Sequence, residues 1–224
     1  PIAMTEADMD RIVAAFADAA RRADQAGFDF VELHAAHGYL LCEFLSPLSN
    51  QRTDAYGGSI ENRARFPLRV AQAVRGAWPR SKALGARFNG SDWVEGGVAL
   101  DEVTAFGQAL HGIGYDYLHL TSGGNVPRAA IPGDQPGYQV AFAEAMKAAA
   151  PQATVMAVGL IFDPQQAEAI VASGQADLVA IARAALDDPN WPHHAAVALG
   201  ASEDLPLQYQ RAGKGAWPGY GRSV

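Results

Sequence analysis

The stretch Phe28-Asp29-Phe30-Val31-Glu32-Leu33-His34-Ala35-Ala36-His37-Gly38-Tyr39-Leu40 decides the fold. Its first part, Phe28 to His34, is a short apolar run that follows Gly27, which reads as a buried strand and not as a helix. Directly after it come two imidazoles and a phenol: His34, His37 and Tyr39. In parallel sheets, both closed barrels and open doubly wound ones, ligands collect at the C-terminal ends of strands. A strand that runs straight into such a cluster therefore suggests a parallel α/β protein with a site at that end.

Working outward, the same unit repeats. Before the stretch, Thr5 with Asp8 three residues on gives a capping-box start. Ile12, Val13, Phe16, Ala19, Ala20 and Ala23 then recur at helical spacing until Gly27 stops the helix. After it come a turn-rich loop, a helix over Glu61–Trp78 and a strand over Leu84–Phe88. A helix over Asp101–Gly112 precedes a strand over Tyr117–Thr121. A helix over Val140–Ala149 precedes a strand over Thr154–Val158. Asp163-Pro164 caps the next helix, Leu178–Ala182 is the fifth strand, and a last helix follows Trp191-Pro192. Five βα units with no linker composition predict a single domain over residues 1–224, with 204–224 as a C-terminal extension. The fold class is α/β with a parallel sheet, either part of a (β/α)8 TIM barrel or a doubly wound sheet, because five βα units do not close a barrel. No GxGxxG follows any strand, so a Rossmann dinucleotide site has no support.

Composition narrows the function. The 224 residues are 49% hydrophobic and carry a net charge of −7, with Lys and Arg scattered singly. Neither a nucleic-acid partner nor an anionic membrane surface suits such a chain. No apolar run is long enough to span a bilayer. With Cys42 as the single cysteine, an internal disulfide or thiolate metal cluster is excluded, and a reducing, cytoplasmic location is expected. The start at Pro1, directly before a helix signal, reads as an interior point of a longer chain.

Neutral imidazoles can donate hydrogen bonds to a developing negative charge, and a phenol can deliver a proton. On residue type alone, His34 and His37 are equally readable as satisfied structural groups. Zinc ligation lacks a third ligand. The loop that follows reads Phe44-Leu45-Ser46-Pro47, then Asn50, Arg52-Thr53-Asp54, Tyr56-Gly57-Gly58-Ser59 and Glu61-Asn62-Arg63-Ala64-Arg65-Phe66. Together with His34-Ala35-Ala36-His37-Gly38-Tyr39-Leu40, it resembles the Old Yellow Enzyme family of FMN-dependent ene-reductases, most of all its thermophilic-like branch. The similarity continues through Arg87, Ser91-Asp92-Trp93, Ser122-Gly123-Gly124, Pro136-Gly137-Tyr138-Gln139, Val158-Gly159-Leu160 and Asn190-Trp191-Pro192.

The resemblance implies a (β/α)8 TIM barrel of which this chain supplies about the last five βα units, with FMN as bound cofactor, NADPH or NADH as hydride donor, and an α,β-unsaturated carbonyl compound as substrate. It places the substrate-carbonyl donors on His34 and His37 and the proton donor on Tyr39. Arg87 falls beside the flavin's pyrimidine edge, Ser122 and Gly123 in the cofactor-binding loop, and Gly159 with Ala182 and Arg183 at the phosphate. The family has Gly-Arg where this chain has Ala182-Arg183, and the extra methyl is expected to weaken FMN binding. Tyr209 and Arg211 match a terminal segment that reaches a neighbouring subunit's pocket, which implies a homodimer or homotetramer. Tyr56, Gly57, Gly58 and Arg63 are expected to shape the loop, with Arg63 paired to Glu61 or Asp54, and the four tryptophans to serve packing. A competing reading is a non-catalytic partial barrel or phosphate-ligand module. Five units leave two open parallel edges, so these residues alone are expected to bind FMN weakly and turn over little.

Overall fold

The computed structural model describes residues 2–201 and 205–219. Its elements are, in order, α1 (Glu6–Gln25), β1 (Phe30–Ala35), α2 (Leu40–Leu45), α3 (Ile60–Ala77), β2 (Ala83–Asn89), α4 (Leu100–Ile113) and β3 (Tyr117–Thr121). There follow α5 (Val140–Ala149), β4 (Thr154–Val158), α6 (Pro164–Ala172), β5 (Leu178–Ala180), α7 (Arg183–Asp187), α8 (Trp191–Ala198) and a 3-10 turn over Leu207–Ala212. The five strands pair in chain order, β1-β2-β3-β4-β5, all parallel. β1 and β5 are the sheet's open edges.

Local chemistry sets the boundaries. Thr5 caps α1 through its side chain, which accepts from the Asp8 N–H, while the Asp8 carboxylate accepts from the Thr5 N–H at 3.0 Å. Asp163 caps α6 by accepting from the Gln166 N–H at 2.7 Å, with Pro164 in the first turn. Two short helices escape the sequence reading. In α2, Leu41, Cys42, Phe44 and Leu45 are all buried and Glu43 is the only polar residue, too little to mark a helical period. α7 is a single turn, and it ends the fifth strand early. Ala182, at φ −131° and ψ −74°, leaves the extended region and its carbonyl accepts from the Leu186 N–H. β5 therefore stops at Ala180 and not at Ala182.

Register shows which side of the sheet is core. Leu33, Ala86, Leu118 and Val155 lie in one row, and Ala35, Phe88, Leu120 and Ala157 in the next; all eight are buried. The helices cover that face. On the other face, His34, Arg87, His119, Met156 and Leu178 share a row, one step beyond Glu32, Gly85, Tyr117 and Thr154. That face is only partly covered: Phe30 at the edge of β1 is 61% exposed and Leu178 at the edge of β5 is 43% exposed.

Two expectations need correction. Arg63 is buried, but its ion-pair partner is Glu102 on α4, and it also donates to the Gly58 and Leu45 carbonyls. Asp54 pairs with Arg52 instead. Trp78 packs in the core, whereas Trp217 is 51% exposed and does not serve packing. Among the described residues no helix is long and apolar enough to cross a membrane. Residues 204 and 220–224 of the expected C-terminal extension lie outside the described residues.

Candidate active site

A pocket of about 470 Å³ opens at the C-terminal ends of β2 to β5. Among its walls are His37, Arg87, Ser122, Gly159, Ala182 and Arg183. These six come from five separate stretches of sequence, and parallel pairing brings them together. The pocket also takes in Thr121, Tyr138 and Gln139. Its volume lies within the range of small-ligand and cofactor sites.

The β1 end carries the aromatic trio. The His34 ring centroid lies 5.2 Å from that of His37 and 5.2 Å from that of Tyr39. His37 sits at φ 58° and Gly38 at φ 73°, so the chain turns through two left-handed residues to present these rings. Only glycine fits at 38, because a Cβ there would meet the Gly124 carbonyl oxygen at 2.3 Å. Asn89, at the end of β2, locks the same corner. Its Oδ1 accepts from the His37 N–H at 3.2 Å, and its Nδ2 donates to the Gly123 carbonyl at 2.8 Å. Tyr39 caps α2 in extended conformation and leaves its side chain 63% exposed.

Electrostatics keep this corner neutral. Burial pushes His37 down to about 4, helped by the nearby charge of Arg87 and by His34 and His119. Burial and then Arg87 lower His34 as well, with Glu32 opposing. Both rings are therefore neutral near pH 7, each with one N–H to donate and one bare nitrogen. Burial also draws Arg87 below the ordinary guanidinium value, against Glu32 and Tyr138, but an arginine stays charged. Arg87 donates to Thr121 Oγ1 at 3.4 Å, while its Nε is buried with no hydrogen-bond partner. Such an orphaned donor in a pocket wall calls for an acceptor from a ligand.

Beneath the pocket, His119 Nδ1 lies 3.0 Å from Glu32 Oε2. Gln139, at 3% exposure, joins two strand ends: its Nε2 donates to the Val158 carbonyl at 3.0 Å, and its Oε1 accepts from Ser122. Gly159, at φ 122°, faces Gln139, whose Nε2 would lie 2.5 Å from a Cβ on residue 159. The bare Cα there serves packing on Gln139 at least as much as approach to a ligand. Gly123 lies behind the pocket wall: its N–H donates to the Ser91 carbonyl, and a Cβ on it would meet Ile131. Arg211 and Tyr209 are exposed on the 3-10 turn and do not join these residues. Asn89, Thr121, Gln139 and His119 were missed as functional positions. The first two close their strands, and that placement was the available signal.

A parallel α/β sheet with a ligand-sized, arginine-bearing pocket at its strand ends has the arrangement of a ligand- or cofactor-binding α/β protein. The model of the NADH:flavin oxidoreductase / NADH oxidase family matches residues 1–201, and the chain belongs to that family. The NADPH dehydrogenase of Geobacillus thermodenitrificans is 46% identical over 211 residues, which are 94% of this chain and 61% of that protein. The NADPH dehydrogenase of Bacillus subtilis is 42% identical over 214 residues, again 94% and 61%. The chain thus spans about three-fifths of the length of the curated relatives it matches. Among solved structures, a 2-naphthoyl-CoA reductase complex superposes with a TM-score of 0.81 at 32% identity, over 89% of this chain and 30% of that one. Morphinone reductase in complex with tetrahydroNAD gives 0.71 at 32% identity, over 92% and 53%. The five βα units are accordingly part of a (β/α)8 barrel, and FMN is the cofactor that goes with the family. The pocket fits it, with a volume of cofactor size and, in its wall, Arg87, whose buried Nε has no acceptor among the described residues.

Proposed function

We propose that the protein to which this chain belongs uses NADPH or NADH to reduce the activated C=C bond of α,β-unsaturated carbonyl compounds. The observation that carries this reading is the cluster of neutral His34 and His37 with Tyr39, beside a pocket whose wall holds Arg87. When bound, FMN supplies the hydride relay between nicotinamide and substrate. Every other part of the chemistry falls to side chains. Arg87, with its unpartnered Nε in the pocket wall, would hold the cofactor and balance negative charge on it. The backbone at Ser122, Gly159 and Ala182, with the Arg183 guanidinium, holds cofactor and phosphate oxygens; Gly123 supports that loop from behind.

His34 and His37 each give one N–H to the carbonyl oxygen, polarising the conjugated system and drawing charge away from the β-carbon. Their neutrality matters here, because a donor that stays unprotonated near pH 7 does not repel Arg87. Tyr39, exposed beside the two rings, delivers a proton to the α-carbon. Tyr209 and Arg211, exposed on the tail, are free to reach the pocket of a neighbouring copy in a cytoplasmic homodimer or homotetramer. No nucleic acid or membrane enters this account.

The test is product analysis. The complete protein containing this chain, supplied with NADPH and 2-cyclohexenone without oxygen, should yield cyclohexanone. An allylic alcohol, or NADPH consumption unaffected by the enone, would overturn the reading.

A further inference from the structure

The hydrogen-bond directions beside His37 can be worked out from chemistry. Trp93 Nε1–H can only donate, and it does so to Ser122 Oγ at 2.7 Å. The Ser122 hydroxyl lies 2.5 Å from Gln139 Oε1, so its own proton goes there. The amide cannot be turned round, because Gln139 Nε2 sits 3.0 Å from the Val158 carbonyl, a pure acceptor. Gln139 Oε1 is therefore already engaged at short range.

Thr121, at 2% exposure, closes the chain. Its Oγ1 has three neighbours: Arg87 Nη2 at 3.4 Å, Gln139 Oε1 at 3.3 Å and His37 Nε2 at 2.9 Å. Arg87 can only donate to it. The single hydroxyl proton must choose between a distant, occupied oxygen and a close nitrogen. We infer that Thr121 donates to His37 Nε2 and so fixes the ring as its Nδ1–H tautomer. Nδ1 makes no hydrogen bond among the described residues, and His37 lines the pocket. The tautomer so fixed leaves its N–H on the nitrogen that is free for a ligand oxygen. Thr121 is then a positioning residue that acts through His37. The inference rests on the reading of His37 as a carbonyl donor, and deepens it.

Ring nitrogens report the tautomer directly. Two-bond proton–nitrogen correlation spectra of the histidine-labelled, FMN-loaded complete protein should show a pyrrole-type Nδ1 and a pyridine-type Nε2 at residue 37. Thr121→Val removes the hydroxyl and keeps the branched shape, and the ring should revert to the Nε2–H form that free histidine prefers. The dissociation constant of 4-hydroxybenzaldehyde, a phenol that probes the carbonyl site, should rise about 5- to 30-fold, as for one lost hydrogen bond. Thr121→Ser should restore both readouts. Ser122→Ala frees Gln139 Oε1 for the threonine proton and should shift the ring partway towards Nε2–H. A pyrrole-type Nε2 in the parent protein, or an unchanged tautomer in Thr121→Val, overturns the inference without touching the proposed reaction. Unchanged phenol affinity in His37→Ala instead removes the donor role of His37, and with it any functional role for Thr121.

Discussion

Gly38→Ala offers the sharpest perturbation of the site, because its consequences can be worked out from the backbone. Gly38 sits at φ +73°, where an alanine costs about 1–2 kcal/mol in left-handed strain. The new Cβ would also lie 2.3 Å from the Gly124 carbonyl oxygen, so the β1 and β3 loops must part by about 1 Å to reach ordinary contact. Neither neighbour is a flexible side chain that could swing away. Overpacking of this kind costs a further ~1–3 kcal/mol, so a total stability loss of about 2–5 kcal/mol is expected. The movement falls on the residues flanking Gly38, which are His37 and Tyr39. A displacement of that size at a reacting centre slows the enone step by about 10²-fold. Gly27→Ala is the matched control: it has φ +83° but nothing within 4 Å of the added methyl. It should lose only the strain term and keep its rate. Urea unfolding and single-turnover enone reduction measure the two effects. If Gly38→Ala keeps the parent rate and is destabilised no more than Gly27→Ala, the loop-to-loop contact does not position the trio.

Three further outcomes follow from the same structure. Arg63→Met strips the buried Leu45 carbonyl of its donor and leaves Glu102 without its partner, so urea unfolding should show a loss of about 2–4 kcal/mol. Adding Glu102→Gln to that variant should recover part of the loss if the two charges are coupled. His37, held near 4 against an ordinary value of about 6.5, binds fewer protons folded than unfolded between those limits. Stability from this ring is therefore complete above pH 6.5 and lost as the pH falls to 4. It amounts to about 1–2 kcal/mol once solvent screening of a half-buried group is allowed for, and its ring signals should titrate with a midpoint near 4. Arg211→Ala should raise the enone KM of the assembled protein and leave FMN bound; kinetics indifferent to the change would remove the shared-pocket proposal.

Much of this architecture was legible before any coordinates. The strands Tyr117–Thr121 and Thr154–Val158 and the helix Val140–Ala149 fall where apolar runs and their bounding turns put them. α2 and α7 were not legible, since one is a six-residue helix whose only polar residue is Glu43 and the other is a single turn. The same division runs through the site. His34, His37, Tyr39, Arg87 and Arg183 announce themselves as chemically capable residues at strand ends. Asn89, Thr121 and Gln139 are ordinary polar residues whose importance lies in what they touch across 17 or more positions of sequence. Register creates those contacts, and no local pattern encodes them. Arg63 shows the same limit, since its partner Glu102 lies on another helix, 39 residues away.

On the proposed reading, the cluster beside the pocket, and Tyr39 above all, completes C=C reduction. Stopped-flow spectroscopy of the complete protein without oxygen separates the two halves of the reaction. In Tyr39→Phe, NADPH should bleach the flavin absorbance at close to the parent rate, because that half needs no proton from the phenol. Return of the absorbance on adding 2-cyclohexenone should slow by about 10²–10⁴-fold, as expected when a general acid is lost. A Tyr39→Phe protein whose absorbance returns with the enone at the parent rate would contradict the account.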